Sequence, residues 1–126
     1  MTLSRITLRL ARNPGTRFAN GDDRYGYTLV APLNAAGFLD EAAWKSHKDA
    51  CTVRHLSPEH AESRTGLLRR RGDNWFFDYE AGRSDDDEPV FKLGAHPFIV
   101  GEYVTVTDED NQPLTFQVRE VHPVHA

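Results

Sequence analysis

GEYVTVTDEDNQPLTFQVREV, residues 101–121, is the stretch whose reading decides the fold class. Two runs rich in β-branched and aromatic residues, 102–107 and 114–121, flank an acidic connection, Asp108 to Pro113, made of turn-forming residues. That pattern reads as an antiparallel hairpin, because branched and aromatic side chains fit a pleated surface while Asp, Asn and Pro favour turns. Within the second run Leu114, Phe116 and Val118 alternate onto one face. Val121 falls out of phase with them, which predicts a bulge or strand end near Arg119–Glu120.

Working outward, residues 90–93 read as a short strand and 98–100 as the lead into the hairpin. A second hairpin is read over 64–71 and 75–80, joined by Gly72, Asp73 and Asn74, with Trp75, Phe77 and Tyr79 as its apolar face. Residues 51–56 and 25–30 read as strands, stopped by Ser57-Pro58 and limited by Pro32. Ile6, Leu8 and Leu10 alternate with Thr7 and Arg9, a first strand. The one helix is placed over 41–50. Asp40 is its N-cap, Glu41 sits near the positive end of the helix dipole, and Leu39 and Trp44 stand at hydrophobic-staple spacing. About seven short strands and one short helix make a mainly β protein, a small antiparallel β-barrel or sandwich-like roll. Closure would remove the exposed edges of so small a sheet. Residues 1–126 are read as one domain whose first few residues and 122–126 fray.

The chain has 126 residues and a net charge of -4. A general nucleic-acid binder usually carries a basic excess, so nucleic acid is disfavoured as a partner. The charge is unevenly spread. Residues 1–71 hold 12 basic and 7 acidic side chains, and 72–126 hold 3 and 12. The acidic C-terminal half is therefore a candidate surface for a protein partner. No run approaches the ~20 apolar residues of a spanning helix, and no membrane association is expected. The only cysteine, Cys51, has no partner for an intramolecular disulfide, which suits a reducing, cytoplasmic setting. The opening residues bear arginines and no acid before Asp22, features shared with transit peptides, but the alternation at Ile6, Leu8 and Leu10 favours a strand.

The wording GYTLVAPL (residues 26–33), GEYV (101–104) and TFQVREV (115–121) resembles an uncharacterised family of short bacterial proteins. The likeness spans most of the chain. It implies a soluble bacterial protein and supplies no activity, ligand or active site.

Five clusters carry chemistry-bearing residues. His47, Cys51 and His55 combine the imidazole and thiolate ligands that zinc and related transition metals prefer, and four-residue spacing on a helix brings two of them to one face. The same residues read equally as packing beside Trp44, and Cys51 as a nucleophile would lack an oxyanion turn. Asp85, Asp86, Asp87 and Glu88 form an acidic run without the spacing of a calcium loop, so they are read as a solvated loop or a docking patch for a basic partner. His96, before Pro97, would meet that run if the loop folds back. Arg69, Arg70 and Arg71 stand beside Trp75, Phe76 and Phe77, a combination that can hold a nucleic-acid strand, although Asp73, Asp78 and Glu80 on the same hairpin oppose phosphate.

No phosphate-binding glycine loop, nucleophile elbow or dinucleotide fingerprint is present, and the reading leans away from an enzyme. No cofactor is called for beyond that transition metal. The leading expectation is a small non-enzymatic β-barrel module for protein interaction. The alternatives are metal or small-molecule binding through the His/Cys cluster, and single-stranded nucleic-acid binding through the Arg/aromatic hairpin. Nothing in the sequence addresses oligomeric state.

Overall fold

The computed structural model describes residues 3–16, 18–56, 64–71, 74–78, 88–90, 97–107 and 113–124, with residues 64, 71, 74, 88–90 and 107 described by their backbone alone. Among these residues eight strands form one antiparallel sheet: β1 (Leu3–Leu10), β2 (Asp22–Pro32), β3 (Thr52–Leu56), β4 (Arg64–Arg71), β5 (Asn74–Asp78), β6 (Glu88–Val90), β7 (Tyr103–Thr107) and β8 (Pro113–Val124). The helix α1 (Glu41–Ser46) lies between β2 and β3. The order across the sheet is β6-β5-β4-β3-β2-β1-β8-β7. Strand β1 is thus central, with β2 on one side and β8 on the other. The sheet curls until its edge strands, β6 and β7, approach within 8 Å between Cα atoms, although among the described residues no ladder joins them. The result is the mainly β, barrel-like architecture expected.

Alternation explains the core. Ile6, Leu8 and Leu10 of β1, Tyr27 and Leu29 of β2, Val53 of β3, Phe77 of β5, Val104 and Val106 of β7 and Leu114, Phe116 and Val118 of β8 are all sealed inside. Each strand sends every second side chain to the same face, so one curled sheet can wrap its own core. Trp75 and Phe77 take the inward positions assigned to them, while Tyr79 lies outside the described residues.

The bulge expected near Arg119 is present. Thr7 pairs with Glu120 and Leu8 with Val118, leaving Arg119 as an extra residue on β8. Three residues of the tail expected to fray behave otherwise. His122, Pro123 and Val124 continue β8 and pair with Arg5, Ser4 and Leu3. Past the bulge the ladder simply resumes, and Pro123 sits close to the strand end. Strand β2 also outruns its expected limits, because Pro32 ends the ladder opposite Leu3 while its carbonyl accepts from Asp40 N at 3.0 Å.

Asp40 caps α1 as expected, its carboxylate accepting from Ala43 N at 3.1 Å. The helix expected over 41–50 is shorter. It stops at Ser46, and Lys48–Ala50 form a separate 3₁₀ turn. His47 explains the break. It leaves the helical region (φ -135°, ψ 29°), and its Nδ1 sits 3.0 Å from the Ala43 carbonyl oxygen, where the ring replaces the next turn's amide. Trp44 docks this short helix, donating from Nε1 to Leu68 O at 3.0 Å and meeting Trp75 edge-on at 5.1 Å. Glu41 pairs with Arg70, whose guanidinium also lies over the Trp75 ring. No helix among the described residues is long and apolar enough to cross a membrane.

Candidate functional site

Among the described residues, His47, Cys51 and His55 do not assemble. His47 is exposed at the end of α1, Cys51 is fully buried, and His55 points into the core from β3. Strand alternation sends His55 inward with Val53, where it stacks on Tyr27 (centroids 4.6 Å apart, planes 15° apart) and meets Tyr25 edge-on. Among the described residues no group of three His, Cys, Asp or Glu side chains comes together to hold a metal ion. Burial pushes the Cys51 thiol up to about 11, the opposite of what a thiolate nucleophile or ligand requires.

The arginine run is likewise divided by the pleat. Arg69 pairs across the ladder with Phe76 on the outer face, whereas Arg70 pairs with Trp75 on the inner face and holds Glu41. Arg71 pairs with Asn74, and its side chain is outside the described set. Three consecutive strand residues cannot share one face. Trp75 and Phe77, offered as stacking platforms, are core residues. Asp85, Asp86, Asp87 and His96 lie outside the described residues, and Glu88 is described only as the start of β6, opposite Phe77.

A different site is built where two strand irregularities flank β1. One is the Arg119 bulge. The other lies on β2, where Leu10 pairs with Asp22 but Arg9 pairs with Gly26, so Asp23, Arg24 and Tyr25 are extra. Bulges re-aim side chains and gather at barrel rims. Here they send Asp23 and Arg119 toward each other over β1, and the two form an ion pair of 3.2 Å. Beside it Asp22 is held by Arg24 in a fork, Nε to Oδ1 and Nη2 to Oδ2, both 3.2 Å. The Arg24 side chain and then its backbone N–H hold the Asp22 carboxyl below its ordinary range, and Asp22 in turn raises Arg24.

Asp22, Asp23 and Arg119 help to wall an open cleft of about 720 Å³. Arg12 and Asn20 line it from the β1–β2 connection, Gln117 from β8, and Tyr103 from β7. Asn13 fixes the connection from below. Its side-chain amide donates to Ala11 O at 2.8 Å and Thr115 O at 3.1 Å, while its oxygen accepts from Thr115 N at 2.8 Å. The cleft therefore presents both signs of charge on a fixed frame.

An apolar patch adjoins it. Phe98 is buried and anchors the segment before β7. Ile99 and Val100 then sit on a tight turn closed by Glu102 N to Ile99 O at 2.9 Å. Gly101, with φ 98°, occupies the third position, which a type II turn reserves for a residue that tolerates positive φ. Gly101 N donates to Val118 O and Val118 N to Glu102 O, both at 2.8 Å, so the turn is pinned to β8 one residue from the Arg119 bulge. Ile99, Val100 and Tyr103 are 50%, 60% and 53% exposed, the large apolar side chains most open to solvent among the described residues.

Comparison with family models, with curated proteins and with solved structures returned no match to this chain. The sequence offered one signal for this site, the phase break at Val121. It gave none for Asp23 or for the exposure of Ile99 and Val100, which read only as the lead into the hairpin.

Proposed function

We propose that the chain is a non-enzymatic binding module whose partner is a protein, engaged through the turn at Ile99 and Val100, the ring of Tyr103 and the adjoining cleft. One observation carries this reading: Ile99 and Val100 stand exposed on a pinned turn next to exposed Tyr103, which itself lines a cleft bearing Asp23, Arg119 and Arg12. Protein interfaces combine apolar or aromatic anchors with a polar rim, and tyrosine is enriched among their strongest contacts. Exposed apolar groups grouped on a rigid element point to interaction more than to chance. The cleft holds carboxylates and guanidiniums together, which suits the backbone and mixed side chains of a polypeptide better than a simple ion. The module belongs in a reducing bacterial cytoplasm, in keeping with its single, buried cysteine.

The test is site-specific photo-cross-linking. A photoreactive phenylalanine analogue placed at position 103 should give a discrete protein conjugate in a native lysate. Ile99→Asp should abolish that conjugate, and a probe at position 45 on α1 should not give it. Equal labelling from both positions, or a conjugate indifferent to Ile99→Asp, would remove the reading.

A further inference from the structure

The charges that wall the cleft do not all cancel. Asp23 is engaged by Arg119, and Asp22 by the fork from Arg24. Both carboxylates among the described lining residues are therefore already paired. Arg12, the other charged side chain on the wall, is exposed and has no ion pair or hydrogen bond among the described residues. Its backbone is nonetheless held on both sides. Ala11 N donates to Thr115 O at 3.0 Å, and Asn13 N donates to Phe18 O at 3.1 Å. The Asn13 side chain adds its own three bonds below. Arg12 thus offers an unneutralised guanidinium from a fixed point of the frame. The Asn20 amide and the Tyr103 hydroxyl, on the same wall, are neutral donors. The chain around Arg12 is also basic in sequence: residues 1–21 hold Arg5, Arg9, Arg12 and Arg17 and no acid.

We propose that Arg12 receives an acidic side chain, aspartate or glutamate, of the partner polypeptide whose apolar residues cover Ile99 and Val100. This rests on the reading of the turn and cleft as a protein-binding site and adds the partner's charge to it. The argument is charge complementarity. A guanidinium presents a planar fork that fits the two oxygens of a carboxylate, and the resulting hydrogen bonds are charge-assisted. One unpaired cation balances one carboxylate, whereas a phosphoryl group, at about -1.5 to -2, would be left undercompensated. A chain terminus is ordinarily captured by backbone amides, but the Gly21 amide on this wall is spent on Phe18 O at 2.9 Å. A side chain on a continuing segment is the better match. Tyr103 belongs to both the cleft and the apolar patch, so one segment can set its acid on Arg12 and its apolar residues on the turn. Such a charge pair fixes register and partner choice more than it adds raw affinity.

Two sets of immobilised peptides test the proposal. Both carry Ile, Leu or Phe at their apolar positions, and the remaining positions are Glu in one set and Gln in the other. The wild-type protein should bind the Glu set about fivefold more tightly. It should do so despite its own net charge of -4, and the preference should shrink as salt rises. Arg12→Ala should erase the preference while leaving the Gln set bound as before, and Arg12→Lys should restore part of it. Arg5→Ala, which removes an exposed guanidinium that lines no part of the cleft, should leave the preference intact. Amide shifts of the wild-type protein on titration with a Glu peptide should fall at Arg12 and Asn20 as well as at Ile99 to Tyr103. A preference that is absent, or that is lost equally with Arg5→Ala, would overturn the carboxylate assignment. If Ile99→Asp still abolished binding of the Gln set, the protein-binding site itself would stand. Binding indifferent to Ile99→Asp, or no binding to either set, would overturn both.

Discussion

Replacing Gly26 by alanine probes the geometry on which the cleft depends. Gly26 is the first regular β2 residue after the Asp23–Tyr25 bulge and pairs with Arg9. A Cβ there would lie 2.0 Å from Leu8 O, 3.0 Å from Leu8 C and 3.2 Å from Arg9 Cα. All three atoms are backbone, so no side-chain rotation relieves the clash. Strands β1 and β2 must part by roughly 1 Å or more where they flank the buried Leu8 and Tyr27. Overpacking of this kind costs about 1–3 kcal/mol, and a weakened ladder bond adds about 1 kcal/mol. Lower entropy of the unfolded chain offsets up to about 1 kcal/mol. A net loss of about 2–3 kcal/mol, at an unfolding entropy of about 2.1 cal/mol/K per residue, lowers Tm by about 10 °C. Thermal unfolding followed by circular dichroism measures it, with Thr7→Val on the outer face as a control expected within about 2 °C. A Gly26→Ala protein that melts with the wild type would refute the close approach of β1 and β2 and the bulge built on it.

Trp44→Ala removes the bond to Leu68 O and the edge contact with Trp75, and should destabilise by about 3–5 kcal/mol in denaturant titration, with loss of near-ultraviolet aromatic signal. The Cys51 thiol should resist a disulfide-exchange reagent at pH 8 until the protein unfolds, since it is sealed and its pKa is raised to about 11. The folded state keeps that proton while the unfolded chain loses it near 9, so the contribution is complete below about pH 9 and is lost as pH rises toward 11. Compared with Cys51→Ala, the wild type should therefore lose an extra 2–3 kcal/mol or so across that window, measured as the change in their stability difference. Arg119→Ala breaks an exposed ion pair and should change stability by no more than about 1 kcal/mol while weakening cross-linking from position 103.

The hairpin of β7 and β8 was legible because its apolar residues keep a period of two, and the bulge because Val121 breaks it. Local chemistry also announced the Asp40 cap. The length of α1 was not legible, since His47 ends it through a side chain that turns back on Ala43 O, a choice that face-counting cannot see. Two of the candidate clusters were divided for related physical reasons. Helical spacing was invoked to bring two of His47, Cys51 and His55 to one face, but the helix ends before Cys51, and the three part to solvent, core and core. The Arg69–Arg71 run was divided by the pleat in the same way. The cleft was hidden because its parts come from β1, β2, β7 and β8, whose alignment depends on two bulges that no single segment reveals. Ile99 and Val100 were read only as the lead into the hairpin, because hydropathy alone cannot distinguish a buried strand from a tight turn standing out from one.

The most direct test of the account begins with purified protein and a displayed library of random peptides. Selected peptides should share apolar residues next to charged ones. When titrated into isotope-labelled protein, they should shift the amides of Ile99 to Tyr103 and of Gln117 to Arg119, and Ile99→Asp should abolish those shifts. Peptides that perturb some other surface, or a library from which nothing is enriched, would contradict the assignment of this turn and cleft as a protein-binding site.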